Sequence, residues 1–201
     1  MIEPDTTTYA AVLDSIRTFI AVIVHNILYY FNVYPADAFA QVRQFNTAVW
    51  LCRAPVVKDY IDEASQECLD LIKDGKCGAM AISLYNSAAK HVAKVPIKVN
   101  IPVIPESDQT VPVTDAPTLV DDLQLEFHAF FTRLANFGPT FNPSKLEHTF
   151  KIQCELEGSH SVEGWVSSET QKGKGVPGLE DIVVRKIESG PIEVVSWVEY
   201  V

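Results

Sequence analysis

The segment 8–31 constrains the fold most strongly. Val12, Ile16, Phe19, Ile20, Ile23, Ile27 and Tyr30 recur at three- and four-residue steps, which predicts a long, largely buried helix. Asn32-Val33-Tyr34-Pro35 stops it, because the residue before a proline is pushed out of the helical region. The most apolar stretch, Phe19 to Phe31, contains His25 and Asn26. It reads as too short and too polar to span a bilayer, which takes about 20 apolar residues. His25 is expected to be a hydrogen-bonded core residue.

Around this helix the remaining pattern is mixed. Ala36 to Phe45 reads as a short helix and Ala48 to Arg53 as a short strand. Pro55 is suited to the first position of a second long helix. There Val57, Tyr60, Ile61, Ala64, Cys68, Leu71 and Ile72 make the apolar stripe, and Asp62, Glu63, Glu67 and Asp70 the solvated face. Lys73-Asp74-Gly75 ends it. Strands near 77–85 and 91–101 form a hairpin about Asn86-Ser87. Residues 102–117, with four prolines, read as a surface loop. A third helix spans about 118–137, with Leu119, Leu123, Phe127, Phe130, Phe131 and Leu134 on its apolar face, and a strand follows at about 148–157. The tail differs in character: a short strand at Val162 to Ser167, a linker at 168–180, and strands at Ile182 to Ile187 and Ile192 to Tyr200. Three long helices on an antiparallel sheet make an α+β fold. The 201 residues suit a single domain, 1–201, with a compact core at 1–157 and a distinct segment at 158–201.

The chemistry-bearing residues exclude more than they suggest. Asp and Glu number 26 against 16 Lys and Arg, a formal charge of −10, so direct nucleic-acid binding is not expected. The nucleophile elbow GxSxG, the dinucleotide loop GxGxxG and the phosphate loop GxxxxGK[ST] are absent, and Lys172-Gly173-Lys174-Gly175 reads as linker. No two of the five histidines are three or four residues apart, so no metal site is expected. Cys52, Cys68, Cys77 and Cys154 form no CxxC pair and read as buried thiols of a reducing compartment. The acidic start, Met1 to Asp5, is unlike a signal peptide. Asp121, Asp122 and Glu126 complement the dipole of the third helix. The reading is therefore of no enzyme, with no catalytic residue and no cofactor. Trp50, Trp165 and Trp197 stand out instead, as large aromatics on short strands that suit interface anchors.

Several of these residues carry a resemblance. Ile27-Leu28-Tyr29-Tyr30-Phe31-Asn32-Val33-Tyr34-Pro35, followed by Phe39, resembles the end of the first helix of HORMA domains. Its Val-Tyr-Pro ending, Pro55 with Asp59-Tyr60-Ile61, Thr149-Phe150-Lys151-Ile152, Gly164-Trp165-Val166 and Trp197-Val198-Glu199 are similar, in order, to the branch that supplies accessory subunits of translesion DNA polymerase zeta. The resemblance covers about residues 8–201.

The resemblance implies a HORMA fold with a mobile C-terminal safety belt, at 158–201 here. The belt crosses a bound peptide, which adds to the sheet as a strand, and an AAA+ remodeller commonly assists release. In this branch the peptide is a proline-containing motif of the polymerase zeta catalytic subunit. Tyr34, Pro35, Tyr60 and Trp165 match the residues that line it. A second surface takes the C-terminal domain of a Y-family scaffold polymerase, and Ile182, Ser196 and Trp197 match it. A homodimer through the third helix is a further implication, with His128 where the family carries a basic residue. The implied setting is the nucleus, with the cytoplasm also open. The competing reading is another HORMA adaptor, of the spindle checkpoint, the meiotic axis or autophagy, with the same clasp.

Overall fold

A computed structural model describes residues 8–102, 118–140, 148–156, 162, 165–166 and 182–200, the backbone alone at 182 and 183. The first helix, α1, runs Tyr9–Tyr30, capped by the Thr8 hydroxyl, which accepts from the Ala11 amide. A two-stranded hairpin follows, β1 (Phe39–Gln44) and β2 (Thr47–Cys52), then α2 (Pro55–Lys73), β3 (Cys77–Asn86), β4 (His91–Asn100), α3 (Leu119–Phe137), β5 (His148–Leu156), β6 (Ile182–Ser189) and β7 (Ile192–Tyr200). Strands β3 to β7 form one antiparallel sheet in the order β5-β3-β4-β7-β6. Helix α1 packs against both α2 and α3; α2 lies on β3, α3 on β6, and β2 crosses α1 and α3.

At 22 residues α1 is long and apolar enough to cross a bilayer, contrary to the reading of Phe19 to Phe31 alone. In the fold it is the central core helix, with 67% of its most apolar stretch buried. Its two polar residues explain how it holds the hairpin. The edge of β2 facing away from β1 carries backbone groups that need partners once buried. Asn26 supplies two, accepting from the Trp50 amide at 3.2 Å and donating to the Trp50 carbonyl at 3.3 Å, while its Nδ2 also donates to Val22 at 2.7 Å. Nδ1 of His25 accepts from the Cys52 amide at 3.3 Å, which leaves the ring proton on Nε2.

Burial lowers the His25 pKa to about 4, against a nearby raising effect of Asp62. Between about pH 6.5 and 4 the unfolded chain therefore binds a proton here that the folded chain does not. Stability must fall as pH drops through that window, by up to about 3 kcal/mol. Thermal unfolding between neutral and mildly acid pH is expected to show a falling Tm, and His25→Gln to flatten the slope. An equally steep slope in His25→Gln would assign the acid sensitivity to other groups.

The segment 36–45 corrects the sequence reading. Only Ala36–Ala38 is helical, as a single 3-10 turn, and Phe39–Gln44 is a strand. The three-residue spacing of Phe39, Val42 and Phe45 imitated a helix. The strand instead ends in a two-residue turn, Phe45-Asn46, with φ of 49° and 53°. Such a turn matches the twist of paired strands, but it normally selects Asn or Gly. Here the positive φ of Phe45 is offset by burial of its ring against Phe19, Phe127 and Phe131. Gly138, just past α3, lets the Tyr30 ring pass so close that a Cβ would lie 2.4 Å from it. The strand expected at Val162 to Ser167 is absent at 162, 165 and 166, and its other positions lie outside the described residues. So does most of the loop expected at 102–117.

Candidate functional site

Strand β5 lies at the edge of the five-stranded sheet. Among the described residues it pairs only with β3, in a register running from Cys77↔Leu156 to Asn86↔His148. An edge strand presents a row of backbone donors and acceptors to any further strand. The side chains around this edge are aromatic. Tyr34, in the turn after α1, and Tyr60, on α2, both meet Phe150 of β5 edge-on, at ring separations of 6.4 and 5.8 Å. Burial raises the pKa of both tyrosines, so their hydroxyls stay protonated. Pro35 is exposed and opens the 3-10 turn beside Tyr34.

Further along α2, one heptad after Tyr60 and so about 10 Å along the same face, stands Glu67. Its carboxylate accepts the indole N–H of Trp165 at 2.7 Å. The structure thus brings Tyr34 and Tyr60 together through Phe150, and places Trp165 on the same helix as Tyr60. Glu67 had been read as part of a solvated helix face, and it is exposed; the indole engages it there. Phe150 was legible as an inward strand position. Glu67 carried no signal of this role and Phe150 only its place in the motif Thr149-Phe150-Lys151-Ile152, because both acquire their role from residues about a hundred positions away. Between the two ends, Cys68 of α2 and Cys154 of β5 are in thiol contact at 2.9 Å. Hydrogen bonding with Cys68 pushes the Cys154 thiol well above its ordinary range, and Cys77 is raised by its bond to Cys154 and by burial. Cys154 and Cys77 are therefore held protonated, as packing thiols.

Of the residues matched to a second surface, Trp197 is partly exposed on the outer face of β7, its indole N–H donating to Glu199 at 2.6 Å. Ser196 corrects the expectation: it pairs with Ile97, faces the helices and is fully buried, so it does not reach that surface. Strict alternation along β7 puts neighbours on opposite faces. Ile182 begins β6 opposite Val198, and its side chain lies outside the described residues. His128 is half-buried with Nδ1 3.2 Å from the Phe45 carbonyl, which fixes the proton on Nδ1 and turns the ring into the molecule. Trp50 stacks on Tyr29 at 4.1 Å and so packs within the chain. Glu126 accepts from Arg185 at 2.6 and 3.0 Å, joining α3 to β6 instead of only complementing a helix dipole. Among the described residues no cluster of three His, Cys, Asp or Glu could hold a metal ion.

No family model matches the chain. Over 196 residues it is 26% identical to the DNA polymerase zeta processivity subunit of Schizosaccharomyces pombe, a match covering 93% of this chain and 92% of that protein. Solved structures agree in fold. A chain in a crystal structure of a mitotic checkpoint complex superposes with a TM-score of 0.77 at 17% identity, covering 94% of this chain and 98% of that one. Caenorhabditis elegans HTP-1 bound to a HIM-3 closure motif gives 0.67 at 12% identity, with 98% and 99% covered. HTP-2 of the same organism, bound to a HIM-3 closure motif, gives 0.71 at 11% identity, with 96% and 92% covered. The chain has the HORMA fold, and nearly its whole sequence is similar to a polymerase zeta processivity subunit.

Proposed function

We propose that this protein is a non-catalytic HORMA adaptor that clasps a proline-containing peptide of the polymerase zeta catalytic subunit and bridges it to a Y-family scaffold polymerase, in the nucleus. The observation that carries the reading is the edge of β5, unpaired among the described residues and flanked by Tyr34, Tyr60 and Phe150 at one end and by Trp165 on Glu67 at the other. A peptide adding there as a strand gains backbone hydrogen bonds along the edge, and the aromatic rings supply flat surfaces for proline or apolar anchors. Segment 158–201 acts as the belt that closes over it, and an AAA+ remodeller opens it. Support comes from the processivity-subunit name of the 26% identical relative and from two structural neighbours bound to closure motifs. Trp197 is the anchor of the second surface. His128 is engaged by Phe45, so its contacts give no support to a homodimer built on it.

The test is co-purification of the catalytic subunit with tagged chain, wild type against Tyr60→Ala with Trp165→Ala. Two central aromatic anchors are each worth about 2 kcal/mol or more, so affinity should fall at least about a hundredfold. Unchanged recovery of the polymerase would remove this pocket from the mechanism. Recovery of checkpoint, meiotic-axis or autophagy factors with no polymerase would favour another HORMA branch.

A further inference from the structure

The sheet face turned away from the helices carries a feature that the peptide clasp leaves unused. The outward positions of β3 are small, Ala79, Ala81 and Ser83, and Pro96 lies opposite Ala81 on β4. Longer side chains from β5 on one side, and from β4 and β7 on the other, leave an open groove of about 500 Å3 over that floor. Three of the lining residues are lysines, Lys94, Lys98 and Lys151. None of them has a carboxylate within 4.0 Å among the described residues. Their recorded partners are aromatic: Lys151 lies 5.3 Å from the Tyr85 ring and Lys98 5.6 Å from the Trp197 ring.

One end of the groove is richest in donors. Lys94 and Lys151 sit directly across from Ser83 on its two neighbouring strands, so two cations flank that position. His91 lies against Tyr85 at a ring separation of 5.1 Å, the planes tilted by 32°, and lines the same end. It is 9% exposed, and among the described residues neither ring nitrogen has a partner of good geometry, the Ala93 backbone engaging it only weakly. A buried imidazole with incomplete hydrogen bonding is costly unless something arrives to complete it. In a chain with ten more acidic than basic charges, three lysines beside two glutamates, Glu155 and Glu199, leave this small surface with a slight positive excess, and neither glutamate comes within 4.0 Å of a lysine there.

We infer that this groove receives an extended acidic segment of a partner polypeptide, with a carboxylate held between Lys94 and Lys151 and His91 donating a neutral N–H to it. The floor from Ala79 to Tyr85 is roughly 20 Å long at strand rise, which suits a run of about six extended residues better than a single small anion. A nucleic-acid strand, with a charge on every phosphate, meets three lysines and two glutamates less well than a segment whose carboxylates are spaced to fall between Lys94 and Lys151. The groove meets the second surface at Trp197 and shares strand β5 with the peptide clasp, but it uses the outer face of that strand and not its edge.

The probe is a capped hexapeptide of alternating Glu and Ala, titrated into isotopically labelled full chain and followed by backbone amide shifts. Shifts are expected on β3, β4 and β5 around residues 79–85, 94–98 and 149–155. The double variant Lys94→Gln with Lys151→Gln should weaken binding about tenfold or more, and Lys73→Gln with Lys76→Gln should leave it unchanged. For the unmodified chain, raising salt to about 0.5 M should weaken binding severalfold, a readout that needs no variant to fold. Shifts confined elsewhere, salt-independent binding, equal binding of the Lys-Ala counterpart, or full affinity in the Lys94/Lys151 variant would each overturn the inference. Inorganic phosphate competing as tightly as the peptide would make this a free-anion site and overturn the polypeptide reading. Trp197→Ala tests the second surface separately, since the lysine pair does not include it.

Discussion

Phe19→Ala is expected to destabilise the folded chain by about 3–5 kcal/mol, the usual cost of emptying a large aromatic site in a packed core. Phe19 is fully buried at the middle of α1. Its ring stacks on Phe127 at 4.0 Å and meets Phe130, Phe131 and Phe45 edge-on at 5.0, 5.5 and 6.3 Å. Removal therefore strips contacts from α1, from α3 and from the β1–β2 turn at once, and four flanking rings cannot all collapse into one void. Domains hold only about 5–15 kcal/mol in total, so the loss is a large share. Urea unfolding of Phe19→Ala against Phe19→Leu measures it. The leucine variant keeps part of the volume and should lose distinctly less. A loss below about 1.5 kcal/mol for alanine would mean that the cluster repacks.

The second large effect is electrostatic. Asn26→Leu nearly conserves volume but removes both partners of the Trp50 backbone. An unsatisfied buried donor or acceptor costs about 1–3 kcal/mol, so two together should cost about 3–5 kcal/mol. The loss is also local in kind. Amide hydrogen exchange at Trp50 should accelerate before the five-stranded sheet opens, because β2 has only β1 on its other side. Retained protection at Trp50 in Asn26→Leu would show that β1 alone holds β2. Tyr29, stacked on the Trp50 ring, would then be the stronger tie.

These two residues also show where a sequence informs and where it does not. Phe19 falls on an unbroken three- and four-residue periodicity, and such a pattern has one good solution, a helix buried on most sides. Asn26 sits in the same pattern as an exception. Its polarity counted against a membrane span but said nothing of its role, because the groups that satisfy it are 24 residues away in a strand. Phe45 fails in the opposite sense. A bulky residue with positive φ contradicts local propensity, and only the aromatic cluster holding its ring makes that conformation affordable.

The candidate site divides in the same way. Tyr34, Tyr60 and Trp165 were legible through short ordered motifs, whereas Phe150 and Glu67 emerged only when β5 and α2 were placed side by side. Ser196 and Trp197 were matched to one surface, yet the pleat of β7 sends them to opposite faces. By itself the sequence determined the three long helices, the strands from β3 onward, the acidic surface and the family resemblance, because periodicity and composition are local properties that survive without a partner. The tertiary structure alone decided that 39–44 is a strand paired with 47–52, the edge position of β5 among the described residues, the Trp165–Glu67 and Arg185–Glu126 pairs and the lysine groove on the outer sheet. Each of these depends on which distant backbone or charge stands opposite, and pairing energies have no signature in the spacing of a single segment.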